Sequence, residues 1–383
     1  MAVYKIFPSK DTTLYSMFPN MNTGLDEIIE ASETSIAPTD PNPQVSRFLI
    51  QFPQTSIDDI IDNKISGSEW DVNLRCFIAK TTGLSLDSTL EVYAVSGAWD
   101  MGTGKYLDSP ISTDGASWIW QGISGSTIWN VLNPGANVTG SYNYLYAPQG
   151  GGTWYQNLSN GQPLSSSQVY TYEQDNDLNV SVKPIVEVWS SGSIGSINPV
   201  VTNDGFIVKQ QKEFIYSNDY QPEIKFFSVD THTIFPPQLE FKWDDFIYET
   251  GSLNVLDKRP AYVQLAQNPG TFFSESINRF RVNSRPQYPI QVWQTESLFT
   301  TNFALPTASY WALKDLDTNE YVVDFDKTYT KLSCDSSGSY FDMYMNGLQP
   351  ERYYKILIQT ELDGSTVIFD DDYYFKVVNG EWK

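Results

Sequence analysis

The 383-residue sequence contains very few of the residues that most often carry catalysis or bind metals. It has one histidine, His232, and two cysteines, Cys76 and Cys334. A zinc site with several histidine ligands is therefore excluded, and any Ser-His-Asp or Cys-His catalytic group would have to use His232. We expect His232 to be packed or interfacial. We expect both cysteines to be small buried residues in strands, with a long-range disulfide as the less favoured alternative.

Positive charge is also scarce, because 24 Lys and Arg residues stand against 46 Asp and Glu residues, a net charge of −22. Nucleic-acid binders contact phosphates through clustered cations, and anionic membranes attract basic segments. We therefore expect no nucleic-acid partner and no membrane partner. No apolar run approaches the roughly 18 residues that a membrane helix needs, and Met1 to Ile6 show no secretory signal, so we expect folding in a cytoplasm.

Helical periodicity is confined to one short segment, 56–65, where isoleucines recur on one face and predict one or two helical turns. Aromatic residues, in contrast, make up 15% of the chain, and 24 Gly and 21 Pro supply turns. This composition predicts an all-β protein. Strands are predicted at 46–52, 74–79, 90–95, 178–182, 185–189, 205–209, 224–227 and 239–243.

The pattern divides near residue 245 into two predicted domains, 1–245 and 246–383. Within the first, 97–176 is rich in Gly, Ser, Asn and aromatic residues and predicts long loops. Within the second, hairpins are predicted for 310–314 with 321–325, and for 355–360 with 366–369 around Asp363-Gly364. We expect the second domain to be a smaller antiparallel β-sandwich.

Segments of the N-terminal part occur in an order that is informative: 10–15, 20–24, 47–52, 178–189 and 203–209. This order resembles DNRLRE-type jelly rolls, which are similar to carbohydrate-binding modules. The resemblance covers about residues 1–230 and implies a jelly-roll β-sandwich for the first domain. Gln51-Phe52-Pro53 departs from the Phe-Asp that is usual in that family.

Three further segments, 230–245, 277–282 and 347–354, are similar to virion structural proteins of large contractile-tailed (myovirus-like) phages, including marine ones. This resemblance spans both domains. It implies a non-enzymatic virion component of the tail, baseplate, neck or capsid surface, assembled in the host cytoplasm. Its partners would be other virion proteins, in several copies of a symmetric assembly. The alternative is a carbohydrate-binding module that recognises a host-surface glycan.

Aromatic residues in a Gly-rich stretch are the candidate site. They are Tyr142, Tyr144, Tyr146, Trp154 and Tyr155. Aromatic rings pack cores, anchor protein interfaces and stack on sugar rings, and among the functional uses we favour a protein interface over a glycan site. The adjacent Gly150-Gly151-Gly152 lacks the Lys of a phosphate loop, and we expect it to supply flexibility only.

Acidic groups offer no defined catalytic or metal site. Adjacent carboxylates at 58–59, 244–245 and 370–372 point to opposite faces if they lie in strands, and we expect solvated or turn residues. The segments 175–179 and 315–319 place oxygen ligands at alternate positions, but neither has the Gly and Glu of an EF-hand loop. We therefore expect no catalytic residue and no cofactor. One structural cation such as calcium remains an unplaced alternative.

Overall fold

The computed structural model describes residues 2–34, 44–67, 69–83, 88–122, 127–129, 138–141, 150–157, 163–170, 177–191, 201–213, 222–288 and 302–380. Across these ranges the chain forms 24 strands and only two helices. The prediction of an all-β protein is confirmed. Neither of the two helices combines the length and the apolarity that a membrane-spanning helix requires.

The chain divides into two compact units. The N-terminal unit comprises Ile6–Lys64 and Asp71–Glu240. The C-terminal unit comprises Phe241–Lys383 together with two short earlier segments, Met1–Lys5 and Ile65–Trp70. The structural division thus falls at Glu240, close to the boundary at 245 that the sequence predicts. A prediction of two continuous domains could not include Met1–Lys5 and Ile65–Trp70, which belong to the C-terminal unit although they precede it in the chain.

Antiparallel pairing organises the N-terminal unit around one large sheet. The first fourteen strands along the chain are β1 (Ala2–Ile6), β2 (Lys10–Tyr15), β3 (Ile28–Thr34), β4 (Gln44–Gln51), β5 (Trp70–Cys76), β6 (Ile78–Thr82), β7 (Ser88–Val95), β8 (Val138–Ser141), β9 (Gly150–Tyr155), β10 (Ser165–Tyr170), β11 (Leu178–Ser181), β12 (Phe206–Gln210), β13 (Glu223–Phe227) and β14 (Gln238–Trp243). Most of β1 and the second half of β14 fall in the C-terminal unit. The sheet runs in the order β6-β13-β3-β4-β12-β7-β9-β8, with β2 also paired to β4 and β10 to β7. Outside this sheet, β5 pairs with β11.

The two helices give one confirmed prediction and one error. Helix α1 (Gln54–Asn63) buries Ile57 and Ile60, as the isoleucine spacing predicts. Helix α2 (Lys183–Ser191) occupies the segment that was predicted as a strand at 185–189, and that prediction is wrong.

The segment 185–189 is helical because its buried residues also fit a helical face. Ile185, Val188 and Trp189 are buried at the i, i+3, i+4 spacing. Pro184 lies in the first turn, where its missing N–H costs nothing, and the amides of Ile185 and Val186 donate to the Val182 carbonyl. A short apolar run cannot by itself distinguish a buried strand from a buried helix.

Tryptophans from the predicted loop region contribute to the core of the N-terminal unit. Trp99, Trp118 and Trp129 pack with Trp154 and with aliphatic residues such as Leu49. The described part of 97–129 has only an isolated bridge between Trp120 and Ile128, in agreement with the loop prediction. Further along, β8, β9 and β10 interrupt the region, so it is not one continuous loop.

The C-terminal unit is a β-sandwich. Its strands are β15 (Ala261–Leu265), β16 (Thr271–Phe273), β17 (Ile277–Pro286), β18 (Ser309–Asp315), β19 (Tyr321–Val323), β20 (Ser333–Asp335), β21 (Gly338–Tyr344), β22 (Tyr353–Leu362), β23 (Ser365–Phe369) and β24 (Tyr374–Val378). One sheet has the order β15-β17-β21-β20 and the other β16-β24-β22-β18-β19, with β23 paired to β22. Phe280 and Phe341 of the first sheet pack with Trp311, Ile356 and Phe375 of the second in one core.

The predicted hairpins of this unit are present. β18 pairs with β19, and β22 pairs with β23 in register from Ile358↔Phe369 to Leu362↔Ser365. Asp363 and Gly364 at the second turn both have positive φ, 52° and 70°. A two-residue turn with positive φ at both positions matches the twist of the strands it joins, which is why Asp-Gly predicts it well.

Candidate binding surfaces

The predicted aromatic site divides into residues that the structure describes and residues that it does not. Tyr142, Tyr144 and Tyr146 lie outside the described residues. Trp154 and Tyr155 lie in β9 and are only 4% and 8% exposed. Neither of these two rings offers a face to a sugar or to a partner, and both belong to the interior of the N-terminal unit.

Trp154 packs against a buried ion pair. The Arg47 guanidinium lies 5.0 Å from the Trp118 ring centroid and 5.3 Å from that of Trp154. Its Nε and Nη2 donate to the two Glu213 carboxylate oxygens at 3.0 and 2.5 Å, and the Arg47 side chain is only 1% exposed. Cation–π contacts are strongest when they are desolvated, so this arrangement serves stability.

The glycine triplet is part of the same arrangement, and the expectation that it only supplies flexibility is wrong. The Gly151 carbonyl accepts a 2.6 Å hydrogen bond from Nη1 of Arg47. A Cβ atom on Gly151 would lie 2.7 Å from that nitrogen and 2.8 Å from the Trp118 ring, and the residue has a φ of 81°. Glycine is required here by both close approach and backbone conformation.

The single histidine is a surface residue. The His232 side chain is 89% exposed, and its Nε2 lies 3.7 Å from a Glu27 carboxylate oxygen. His232 is therefore not packed, whereas the alternative of an interfacial residue stays a prediction. The two cysteines match their prediction, since Cys76 in β5 and Cys334 in β20 are buried free thiols.

The adjacent carboxylates and the candidate calcium segments are structural where the structure describes them. Asp315 accepts two 2.7 Å hydrogen bonds from the Arg352 guanidinium and also caps the backbone N–H groups of Asp317 and Thr318. Lys355 contacts both Asp370 and Asp372. Among the described residues no group of three or more His, Cys, Asp and Glu side chains could hold a metal ion. Asp175 and Asn176 of the other candidate segment lie outside the described residues.

A groove on the N-terminal unit combines aromatic and polar side chains, and sequence reasoning did not find it. Its volume is about 120 Å³. The lining residues are Tyr15, Met17, Phe18, Glu30, Ser32, Gln44, Val45, Ser46, Tyr106, Glu223 and Lys225. They come from β2, β3, β4, β13 and two loops. No sequence segment contains more than a few of them, and only the cross-strand register could have brought them together.

The polar floor of this groove follows from strand register. Tyr15 of β2 pairs with Ser46 of β4, which pairs with Ser32 of β3. Residues paired directly across strands lie on the same face, as do residues two apart along one strand. Glu30 therefore shares the face of Ser32, and its own cross-strand partner, Lys225 of β13, extends the same row.

Hydrogen bonds connect the polar floor into one network. A Glu30 carboxylate oxygen accepts from the hydroxyls of Ser32 and Ser46 at 2.5 and 2.9 Å. Lys225 contacts Glu30 at 3.0 Å and Glu223 at 2.7 Å. Burial lowers the pKa of Lys225, but the contacts with Glu223 and Glu30 outweigh burial and leave the pKa above its usual value. The network thus holds one permanent cation between two carboxylates.

The aromatic wall of the groove centres on Tyr106. The Tyr106 ring lies 5.0 Å from Tyr15 and 6.1 Å from Phe18, measured between centroids, and Tyr106 is 45% exposed. Burial, with nearby Glu30 and Asp26, raises the pKa of the Tyr15 hydroxyl well above its usual value, so this group remains a neutral donor and acceptor. Met17, 53% exposed, borders the same opening.

The loop that carries Tyr106 is fixed by one buried asparagine. Asn22 Nδ2 donates to the carbonyls of Met101 and Ala116, at 2.7 and 2.9 Å, and its Oδ1 accepts from the amide of Gly104. The Tyr106 amide donates to Asp26 at 3.1 Å. These bonds hold both ends and the centre of the loop, so the position of the Tyr106 ring is set before any ligand arrives.

A second surface lies on the C-terminal unit, on the six-stranded sheet. Four large apolar side chains, 44–62% exposed, share the face opposite the core, and we call them the outer face: Phe273, Tyr353, Ile368 and Tyr374. The register supports this placement, because Tyr353 pairs with Lys376, Lys355 with Tyr374 and Gln359 with Ile368. The Tyr353 and Tyr374 rings are 6.5 Å apart, and both lysines are paired with carboxylates.

Comparisons with known proteins add little to this description. The sequence matches no protein-family model and none of the curated proteins. Among solved structures it is similar to a DUF4785 family protein from Legionella pneumophila, at 8% sequence identity and a TM-score of 0.18. That alignment covers 98% of this chain and 66% of the other, so this chain spans slightly less than two thirds of that protein. A TM-score this low supports no conclusion on fold or function.

Proposed function

We propose that this protein is a non-enzymatic structural component of a phage virion that acts through protein–protein interfaces. The observation that carries the proposal is the outer face of the C-terminal unit. Four large apolar side chains are exposed on this one face, and the rings of two of them, Tyr353 and Tyr374, lie 6.5 Å apart. Exposed apolar groups that share a face are typical of interaction surfaces.

The composition of the outer face suits a protein partner. Tyrosine, phenylalanine and isoleucine supply apolar contact, and tyrosine adds a hydroxyl that can bond at the rim of an interface. Lys355 pairs with Asp370 and Asp372, and Lys376 pairs with Glu351, so neither lysine presents an uncompensated positive charge to a partner. We propose that the outer face binds a neighbouring virion subunit that has an apolar patch of its own.

The similarity of three segments, 230–245, 277–282 and 347–354, to phage virion proteins supports the same proposal. The last of these segments leads directly into Tyr353 at the start of β22. The position within the particle, whether tail, baseplate, neck or capsid surface, follows from copy number rather than from fold.

The test is mass spectrometry on gradient-purified particles, with the copy number scaled to the major capsid protein. We expect a fixed stoichiometry in intact virions. A protein that is missing from particles and free in the lysate would overturn the proposal.

A paired variant tests the surface itself. The double substitution Tyr353→Ser and Tyr374→Ser should reduce incorporation into particles, with the fold retained because both side chains are exposed. Tyr288→Ser is the matched control, since Tyr288 is 76% exposed in the same unit and lies outside the outer face. Equal incorporation of the double variant and the control would exclude this face as the interface.

A further inference from the structure

The groove around Tyr106 has the composition of a binding site rather than of a surface irregularity. One wall is aromatic, with the Tyr106 ring in contact with both Tyr15 and Phe18, and the floor is a connected polar network. Binding sites for small molecules are typically concave and aromatic-lined, with a few polar groups that set orientation. Nothing in the proposed virion role requires this groove, which lies in the other unit.

The volume limits the ligand to a small group. About 120 Å³ is many times the ~10–15 Å³ that one water molecule needs. The space therefore accommodates one ring with its substituents and excludes a helix or a strand. A longer ligand could place only one of its units, a terminal or a protruding one, in the groove.

The charges of the groove argue against an anionic ligand. Glu30 and Glu223 outnumber Lys225, and both carboxylates lie within 3.0 Å of the Lys225 ammonium. A phosphate or an acidic sugar would place a further negative charge beside two carboxylates, and like charges at such distances repel strongly at a partly buried site. A neutral ligand avoids this repulsion.

The aromatic wall and the polar floor together favour a neutral ligand with one apolar face and several hydroxyls. A pyranose ring has this chemistry, because its C–H face packs on an aromatic ring while its edge hydroxyls donate and accept hydrogen bonds. The exposed Tyr106 ring supplies the apolar surface. Lys225 donates, Glu223 accepts, and the Tyr15 hydroxyl does either, so adjacent hydroxyls of both kinds can be satisfied.

We propose that this groove binds a neutral sugar residue, with Tyr106 stacked on the ring and Glu223 and Lys225 bonded to its hydroxyls. Because the hydrogen bonds of Asn22 already hold the loop that carries Tyr106, the loop loses little conformational freedom on binding. This low entropy cost favours measurable affinity from a small contact area. This site is separate from the aromatic residues that the sequence suggested for glycan stacking.

The experiment uses the full chain and a glycan array of neutral oligosaccharides, followed by isothermal titration with the best-binding oligosaccharide. We expect binding by the wild-type protein and a loss of at least about tenfold in affinity for Tyr106→Ala, a difference of about 1.4 kcal/mol. Glu223→Gln should weaken binding similarly through a different contact. Tyr106→Phe keeps the ring, and its affinity should stay within a few-fold of that of the wild type. Tyr288→Ala, in the other unit, should bind with the wild-type affinity.

Three results would overturn the proposal. The first is an absence of binding to every neutral oligosaccharide on the array. The second is binding that Tyr106→Ala and Glu223→Gln leave unchanged while circular dichroism shows all variants folded, because the sugar site would then lie elsewhere. The third is binding of tetramethylammonium at the groove with no sugar binding, which would assign it to cations. None of these results bears on particle incorporation, so the virion proposal is tested separately.

Discussion

The two units of this protein treat charge differently. The N-terminal unit buries Arg47 with Glu213 between tryptophans and also buries the side chain of Asp11, which is 1% exposed. The C-terminal unit keeps Arg279–Asp342 and Arg281–Asp335 at its surface, whereas Arg352–Asp315 is largely buried. Buried charges are costly when unpaired, whereas surface pairs contribute little. The first unit should therefore respond far more sharply to the loss of one charged group.

The largest effect is expected at Arg47. Arg47→Met removes the cation that donates to Glu213 and leaves that buried carboxylate with only the more distant Lys209 ammonium, 3.9 Å away. Breaking a buried pair in this way should lower the free energy of unfolding by up to about 3–5 kcal/mol. Chemical denaturation followed by tryptophan fluorescence measures this, since Trp118 and Trp154 both contact the guanidinium. A loss below about 1 kcal/mol would show that the pair behaves like an exposed one.

The next effect concerns pH and Asp11. Burial, together with the nearby Asp230 and Asp26, raises the pKa of Asp11 to about 8, although the Val229 amide bond opposes the shift. In the unfolded chain this pKa is about 3.9. The folded state therefore holds a proton that the unfolded state releases. The resulting stabilisation is full below about pH 4 and is lost as the pH rises through 8.

Asp11→Asn isolates that contribution. The variant should match wild type near pH 4 and exceed it by a few kcal/mol at pH 9, since each unit of pKa difference corresponds to about 1.4 kcal/mol. Urea denaturation across this pH range measures the difference. Parallel curves for the two proteins would show that Asp11 does not carry the pH dependence.

A smaller effect is expected at the pair Arg352–Asp315. Burial acts to raise the pKa of Asp315, but the bonds from Arg352 and from two backbone amides outweigh it and hold the pKa below its usual value. Arg352→Met should cost about 1.5–3 kcal/mol at pH 7, the range for hydrogen bonds to charged groups. The difference from wild type should shrink as Asp315 becomes protonated in acid. A cost independent of pH would point to lost packing instead.

The smallest effect is expected at Arg279. Its bonds to Asp342 are 2.8 Å long, but the Arg279 side chain is 48% exposed, so Arg279→Met should cost less than about 1 kcal/mol. The same denaturation assay applies, and this variant is the control for Arg47→Met. A cost as large as that of Arg47→Met would remove the contrast between the two units.

Hairpins and helices were predictable from the sequence where the residues that determine them lie within one short segment. The Asp363-Gly364 hairpin follows from two residues that tolerate positive φ between alternating strands, and α1 follows from the spacing of its isoleucines, of which Ile57 and Ile60 are buried. The segment 185–189 was not predictable in the same way, because its burial pattern fits a strand and a helix equally well. Packing against the rest of the unit decides between them.

The site shows the same division between local and distant information. Trp154 and Tyr106 are both aromatic residues in the segment 97–176, and composition cannot separate them. Trp154 is buried on Arg47, a residue more than a hundred positions earlier. Tyr106 is 45% exposed because Asn22 and Asp26 hold its loop in place, with its ring against Tyr15 and Phe18 at the side of the groove.

Composition and neighbouring residues are sufficient to predict the strand-rich class, the hairpins with short turns and the unusual acidity. Which charges are buried, which aromatic rings are exposed and where a groove opens depend on the folded arrangement of distant segments. Those outcomes depend on register between β2, β3, β4 and β13, which are separated by up to two hundred residues. Side chains that meet across strands leave no local pattern in the chain, and only the assembled sheet brings them together.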